Sequence, residues 1–327
     1  MGINSFITHS FLASEREKPI LSQTNFLLGG RQTVFLEKNQ IELIASKYRE
    51  NIYNLDKKFS EHQLSIDKDT LRTKNGIPDS TFFSVLFGNN PHSIDATNYE
   101  KANLIFDLNI FPQQEKILGR EFKRKYTRDY DYVYDGGCLD NVWNPSNALM
   151  NLVSMIKPDG RIINWAAGSN WPGNMCAISP EWLLGFYTIN NFNNIRVYSF
   201  CIVNDGTVYP NSTVNVFRYN PYFSRNKDWD PFKAAMAKSS HPVFTVGFAD
   251  MPSNIPKKFE IPMNTHYIYG DYEDWRQKYV HCEDVPFEFD EGKFDSQTDL
   301  PFLSDHFKFI GTLKALVLAS SLGILTP

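Results

Sequence analysis

The chain has 327 residues, 42% of them hydrophobic and 21% charged, with a formal net charge of −4. This is the composition of a folded globular protein with a large core, long enough for one domain with insertions or for two. The acidic balance excludes a global pull toward nucleic acid or an anionic membrane surface. Cys138, Cys176, Cys201 and Cys282 have neither metal-ligand spacing nor the density of a disulfide framework, so free thiols in a reducing, cytoplasmic compartment are expected.

Residues 1–24 read as an irregular lead-in, without the continuous apolar core of a leader peptide. Residues 25–28 are a short apolar run entering Gly29-Gly30, and a helical stretch follows with Ile41, Leu43, Ile44 and Tyr48 as its apolar members. Strand, glycines and helix open a nucleotide-binding sheet, because glycine lets the backbone approach a ligand. Residues 49–80 are polar and read as an insertion or cap. Residues 81–87 fit either a strand or the end of a buried helix, and pairing them with 92–95 as a hairpin stays open. Residues 92–95 read as the second sheet strand. A carboxylate at its end, Asp95, can accept both hydroxyls of a ribose, or serve only an Asx-turn before Ala96-Thr97-Asn98. Residues 103–106 read as a third strand, ending at Asp107-Leu108-Asn109. The basic run 120–128 reads as a solvated helix face, since no aromatic interleaving suggests base stacking.

The most informative stretch is 131–164. A strand at 132–134 breaks at Asp135-Gly136-Gly137. Asn144 is a good N-cap and Pro145 fits the first helical turn, where its missing N–H costs nothing. Leu149, Leu152, Val153 and Ile156 fall on one helix face, Asp159-Gly160 closes the unit, and Ile162-Ile163 opens the next strand. Such a crossover implies a parallel, doubly wound sheet with its ligand site at the carboxyl ends of the strands. Further on, Ser179 and Pro180 start a helix running to Ile189, and a strand spans 195–203. An aromatic insertion fills 205–230, and another strand spans 242–248. Residues 251–306 look irregular. The apolar end 307–327, broken by Lys308, Gly311 and Lys314, reads as a docked helix rather than a membrane span. The expected domain is thus 25–250, with a C-terminal extension at 251–327 packed on it.

Four segments carry a family resemblance. They are Asp131-Tyr-Val-Tyr-Asp135, Leu139-Asp-Asn-Val142, Ala148-Leu149 and Met155-Ile-Lys-Pro-Asp-Gly160. They resemble the fourth strand, helix and fifth strand of class I S-adenosylmethionine (SAM)-dependent methyltransferases. Ser93-Ile-Asp95 with residues 102–109 is similar to a subset of the same family. The resemblance implies a Rossmann-like, mostly parallel seven-stranded sheet whose last strands form an antiparallel hairpin, here with the 205–230 insertion between them. It implies SAM as cofactor, with Gly29, Gly30, Asp95, Asp107, Leu108, Asp135 and Gly136 as its binding residues. The family's three spaced glycines are reduced here to Gly29-Gly30.

Methyl transfer from a sulfonium is an in-line displacement that needs a held acceptor and, for a hydroxyl, help with its proton. On the resemblance, Asp140 is the candidate base, and Asn141 stands where many relatives carry histidine. Asn141, Trp143, Trp171 and Asn174 are the expected acceptor contacts, an aromatic and amide set that suits a small polar or saccharide acceptor. No metal is expected, since no sequence-spaced ligand set is present. His266 and His281 are further candidates that can fold over the site. Two other readings stand beside this one. A nicotinamide-dependent oxidoreductase would want G-x-G-x-x-G and a Tyr/Lys or His hydride site. A non-catalytic binding or scaffold protein is suggested by the reduced glycine loop.

Overall fold

The computed structural model describes residues 2–49, 55–63, 76–98, 100–110, 128–169, 173–203, 213–219, 242–256, 258–262, 279–291 and 307–314. At 2–3, 33–34 and 77–78 the chain forms a small sheet of β1 (Gly2–Ile3), β3 (Thr33–Val34) and β4 (Ile77–Pro78). The large sheet has nine strands among the described residues. Its parallel half contains β2 (Phe26–Gly29), β5 (His92–Asp95), β6 (Leu104–Ile105), β7 (Tyr130–Gly136) and β8 (Ile156–Ala167), in the order β6-β5-β2-β7-β8. Antiparallel pairs continue it through β11 (Val243–Asp250), β9 (Asn193–Val203), β10 (Thr213–Tyr219) and β12 (Phe307–Lys314), in the order β8-β11-β9-β10-β12. The architecture is Rossmann-like α/β, and β10 and β12 extend the sheet beyond the seven strands expected.

Both sheet faces are covered, which is why the strands carry apolar side chains on either side. Helices α1 (Ser5–Glu17), α2 (Lys38–Tyr48), α3 (Leu55–Gln63) and α4 (Asp79–Phe87) serve one core, and α5 (Pro145–Ser154) and α6 (Pro180–Ile189) serve the other. Along β7 the side chains alternate between them: Tyr132 and Tyr134 enter the first, Tyr130 and Val133 the second. The order of strands reverses between β2 and β7. The chain winds outward through β5 and β6, then returns to β2's other side. That reversal leaves a crevice at the carboxyl ends of β2 and β7.

The lead-in is not irregular. Residues 5–14 are all buried in α1, whose N-cap Asn4 accepts from Ile7 N at 3.1 Å. Its polar residues hid the helix from a periodicity argument, yet they are satisfied. Thr8 Oγ1 donates to Asn4 O and Ser10 Oγ to Phe6 O, and His9 Nδ1 meets Tyr48 Oη at 2.8 Å. The stretch 49–80 is likewise part of the core where it is described, since Leu55 and Phe59 are buried in it.

Residues 81–87 belong to helix α4, so the hairpin alternative falls. Their high apolarity, interrupted only by Thr81 and Ser84, leaves no clear period to separate helix from strand. Gly88, at φ +62°, ends this helix, and its N–H and that of Asn89 return to Ser84 O and Phe83 O. Strand β8 starts at Ile156, earlier than expected. Asp159 within it has φ +59°, and the pairing with β7 jumps between Tyr130 and Tyr132. Residues 307–314 form edge strand β12, not a helix, because they find an unpaired edge of β10. Residues 315–327, most of 205–230 and most of 120–128 lie outside the described residues.

Candidate functional site

A cleft of about 380 Å³ opens at the switch point. Of the residues expected from sequence, Gly29, Gly30, Asp95, Asp107, Leu108, Gly136 and Asn141 line it together. They come from the ends of β2, β5, β6 and β7, which the fold places side by side. Arg31, Gln32, Asn109 and Cys138 also line it, and sequence reasoning passed over them.

The glycines are demanded by space and conformation. A Cβ on Gly29 would stand 3.1 Å from Cys138 Sγ and 3.2 Å from Tyr134 O. Gly30 has φ +75° while its N–H donates to Ile94 O at 2.7 Å, locking the turn to β5. A Cβ on Gly136 would lie 2.7 Å from Tyr134 Cε1 and 2.8 Å from Gln32 Cδ. Gln32 in turn donates from Nε2 to Gly29 O at 3.1 Å and Gly30 O at 3.4 Å. The reduced glycine loop is therefore braced by an amide.

Asp95 makes the Asx-turn and lines the cleft. Its Oδ1 accepts from Thr97 N at 3.0 Å, which is the Asx-turn. Its Oδ2 lies 3.8 Å from the place of a Gly30 Cβ, on the cleft side. Asp107 spends Oδ1 on the N and Nδ2 of Asn109, both at 2.9 Å. The loop that follows is fastened to α5 by three asparagines. Asn144 N donates to Asn109 Oδ1, Asn147 Nδ2 to Asn109 O, and Asn151 Nδ2 to the carbonyls of Leu108 and Ile110. The signal for this was legible: amides recur every three to four residues on an otherwise apolar helix.

Asp135 is corrected from a cleft residue to a buried support. It is fully buried, with Oδ1 accepting from Cys138 N and Leu139 N, and Oδ2 from Asn164 Nδ2 at 3.1 Å. Tyr187 Oη of α6 donates to Asn164 Oδ1. Burial pushes the Asp135 carboxyl up to about 7, with its hydrogen bonds pulling the other way.

Asp140 is likewise corrected. It is fully buried, and its Oδ2 accepts from Ala167 N at 2.9 Å and from Asn174 Nδ2 at 3.0 Å. Its carbonyl accepts from Met175 N at 2.7 Å. The residue latches the 138–141 turn to the end of β8 and to Asn174-Met175, and burial raises its carboxyl to about 6. Asn174 is used in this latch rather than facing the cleft. Asn141 is exposed at the cleft; its Nδ2 donates to Gly137 O at 2.6 Å and Asp140 Oδ1 at 3.2 Å, which leaves Oδ1 for a ligand. Trp143 is 81% exposed and, unlike its neighbour Val142, does not line the cleft, so the expected acceptor contact is not brought to it. Trp171 and His266 lie outside the described residues. His281 is exposed beside Cys282, whose carbonyl accepts from Arg218 of β10, in the antiparallel half of the sheet. Among the described residues no group of His, Cys, Asp and Glu could hold a metal ion, and no helix is long and apolar enough to cross a membrane.

No family model matches the chain, and no curated protein matches it. Solved structures with fold similarity include a SAM-dependent methyltransferase from Archaeoglobus fulgidus (10% identity, 74% of this chain and 94% of that one, TM-score 0.34). The CurJ carbon methyltransferase is similar at 9% identity, 77% of this chain and TM-score 0.35. The Haemonchus contortus phosphoethanolamine N-methyltransferase 2, solved with S-adenosyl-L-methionine, is similar at 11% identity, 76% of this chain and TM-score 0.37. The match spans 54% of each of the last two chains. A fold hosts many chemistries, so function is argued from the residues of the cleft.

Proposed function

We propose that this protein is a SAM-dependent methyltransferase acting on a small polar or saccharide acceptor, with a hydroxyl oxygen as the methylated atom. One observation carries the reading: a glycine turn, Asp95, and the Asp107-Leu108 pair converge on a single cleft at the switch point of a doubly wound sheet. Its volume suits a small ligand. Asp95 offers a carboxylate oxygen for ribose hydroxyls. Asp107 Oδ2 as acceptor beside the Leu108 N–H as donor matches the amino group and ring nitrogen of adenine. When bound, SAM supplies an electrophilic methyl group.

The chain's own contribution is to hold the acceptor in line. Asn141 Oδ1 accepts from the acceptor hydroxyl. Asp140 acts through Asn141 and Asn174 rather than on the acceptor itself. The four free cysteines fit a reducing, cytoplasmic setting.

The test is calorimetric titration with S-adenosylhomocysteine, with NADH as control, on the native chain and on Asp107→Ala. Binding of S-adenosylhomocysteine alone, lost in the variant, is expected. Folded protein that binds neither ligand sinks the reading.

A further inference from the structure

Gly136, Gly137, Cys138, Asn141 and Val142 line the cleft from a single turn after β7. That turn hangs on a carboxylate behind it. Asp135 Oδ1 accepts from Cys138 N at 2.8 Å and from Leu139 N at 3.3 Å. Its Oδ2 accepts from Asn164 Nδ2 of β8 at 3.1 Å. Tyr187 Oη of α6 donates to Asn164 Oδ1, which fixes the way the amide faces. Asp135, Asn164 and Tyr187 are all fully buried. A buried chain of hydrogen bonds thus runs from α6 through β8 to the wall of the cleft.

Among the described residues, every group that meets the Asp135 oxygens is a donor. This arrangement suits a carboxylate and leaves no place for a proton. A proton on Oδ2 requires the Asn164 amide to turn over and accept from it. The amide Nδ2 then faces Tyr187 Oη, whose hydrogen loses its acceptor inside the core. A proton on Oδ1 displaces the Cys138 and Leu139 N–H groups instead. Burial works the other way and favours the neutral acid, so the carboxyl titrates at about 7. The titratable groups that face it are Tyr134 on its own strand, Cys138 and Asp140 in the turn, and Tyr187 from α6. None of these is a cation. Burial holds the two tyrosines and the thiol neutral, which leaves Asp140, raised to about 6, as the second acid.

We propose that Asp135 is a proton-linked positioning residue: its ionised form draws the 138–141 turn into the ligand-binding arrangement, and its protonation loosens that turn and weakens binding of the nucleoside ligand. The inference rests on the cofactor reading above. Hydrogen bonds to an ionised acceptor are roughly twice as strong as those to a neutral one, so the Cys138 and Leu139 N–H groups are held more firmly when the proton leaves. Ionisation also buries a charge, which costs folding stability. Stability and ligand affinity therefore move in opposite directions as pH rises, a signature that a merely structural carboxylate lacks.

The experiment is calorimetric titration with S-adenosylhomocysteine at intervals from pH 5.5 to pH 8, on the native chain, Asp135→Asn and Tyr187→Phe, with folding followed by circular dichroism. S-adenosylhomocysteine carries no net charge, so it reads the turn rather than attraction to the carboxylate. The native affinity is expected to fall about fivefold from pH 8 to pH 5.5, the scale of replacing charge-assisted hydrogen bonds by neutral ones, with its midpoint near 7. Asp135→Asn imitates the protonated acid and is expected to hold the weak, low-pH affinity throughout. Tyr187→Phe frees the Asn164 amide to accept the carboxyl proton, so its midpoint moves to higher pH; this variant keeps the test open where Asp135→Asn fails to fold. A native affinity independent of pH overturns the inference and leaves the cofactor reading standing. A transition that persists in Asp135→Asn assigns it to Asp140 and overturns the inference too, as does a midpoint that Tyr187→Phe leaves in place. A folded native chain that binds no S-adenosylhomocysteine at any pH brings down the cofactor reading and this inference together.

Discussion

Asn151, buried in α5, donates from one Nδ2 to two backbone carbonyls of the neighbouring loop, Leu108 O at 3.0 Å and Ile110 O at 2.8 Å. A single amide therefore ties a helix on one face of the sheet to the loop that forms the far end of the cleft. Asn151→Leu leaves both carbonyls without that donor, which costs about 1–3 kcal/mol. The loop then loses its fixed register against Asp107, so affinity for S-adenosylhomocysteine falls as well. Urea unfolding and calorimetry on this variant check both effects, and a variant as stable and as tight-binding as the native chain contradicts the fastening role.

Gly136 and Gly88 separate two reasons for glycine. A Cβ at 136 runs into Tyr134 and Gln32 at 2.7–2.8 Å, inside the packed wall of the cleft. Gly136→Ala is expected to cost about 1–3 kcal/mol by overpacking and to weaken ligand binding through Gln32. Gly88 has nothing within 4 Å of its would-be Cβ, but φ is +62°. Gly88→Ala is expected to cost about 1–2 kcal/mol from backbone strain alone, with affinity unchanged. Measuring stability and affinity on both variants reads the difference.

The N-terminal helix is part of the core and should behave as such. Phe11 is fully buried, 4.8 Å from the Tyr134 ring and 5.2 Å from Phe83, centroid to centroid. Phe11→Ala is expected to cost about 3–5 kcal/mol in chemical denaturation. A loss within about 0.5 kcal/mol, the range of surface substitutions, would return the segment to the status of a loose lead-in.

Two buried acids set opposite pH limits. Burial holds Asp135 up to about 7 against an ordinary value of 3.8. A carboxyl raised on folding adds stability that is complete below its unfolded value and lost as pH rises through its folded value, here between about 4 and 7. Asp250 behaves in reverse. Burial would raise it, but the hydrogen bond and charge of Arg161, at 2.6 Å, hold it below the usual range. Its contribution is present above the ordinary value and disappears as pH falls through the lowered one. A carboxyl that titrates one pH unit apart in the folded and unfolded chains changes stability by about 1.4 kcal/mol. The native chain is therefore expected to lose melting temperature between about pH 4 and pH 7, and Asp135→Asn to flatten that decline while leaving the acid limb in place. A profile with the same neutral slope in both proteins would remove Asp135 as its cause.

Asp140 illustrates how far a strand-end acid can be read from the chain alone. Its place after β7 was legible, and so was its nearness to the cleft. That its Oδ2 points backwards, to Ala167 N and Asn174 Nδ2, depends on residues some thirty positions later in the chain. Asp140→Ala is expected to free Asn174 and cost about 1–3 kcal/mol, with the loss shared between stability and acceptor affinity. A drop in turnover alone, with stability and affinity intact, would restore it as the catalytic base.

The features legible in the chain itself are local and periodic. Asn144 and Ser179 cap α5 and α6, each accepting from the backbone N–H three residues on, and Pro145 and Pro180 follow them at the first turn. The glycine turn and the strand ends carrying Asp95 and Asp107 were readable because their chemistry resides in adjacent residues. Long-range packing accounts for the rest. A serine- and threonine-containing segment became a buried helix because its hydroxyls close bonds within their own turns and Phe11 meets Phe26, 6.0 Å away across the core. Residues 307–314 became a strand because β10 left an edge to pair with. Asp135 and Asp140 were drawn inside because partners from β8, α6 and Asn174 complete the networks around their oxygens. Propensity and spacing act over a few residues, whereas burial is set by whatever distant segment arrives to exclude water and supply the missing hydrogen bond.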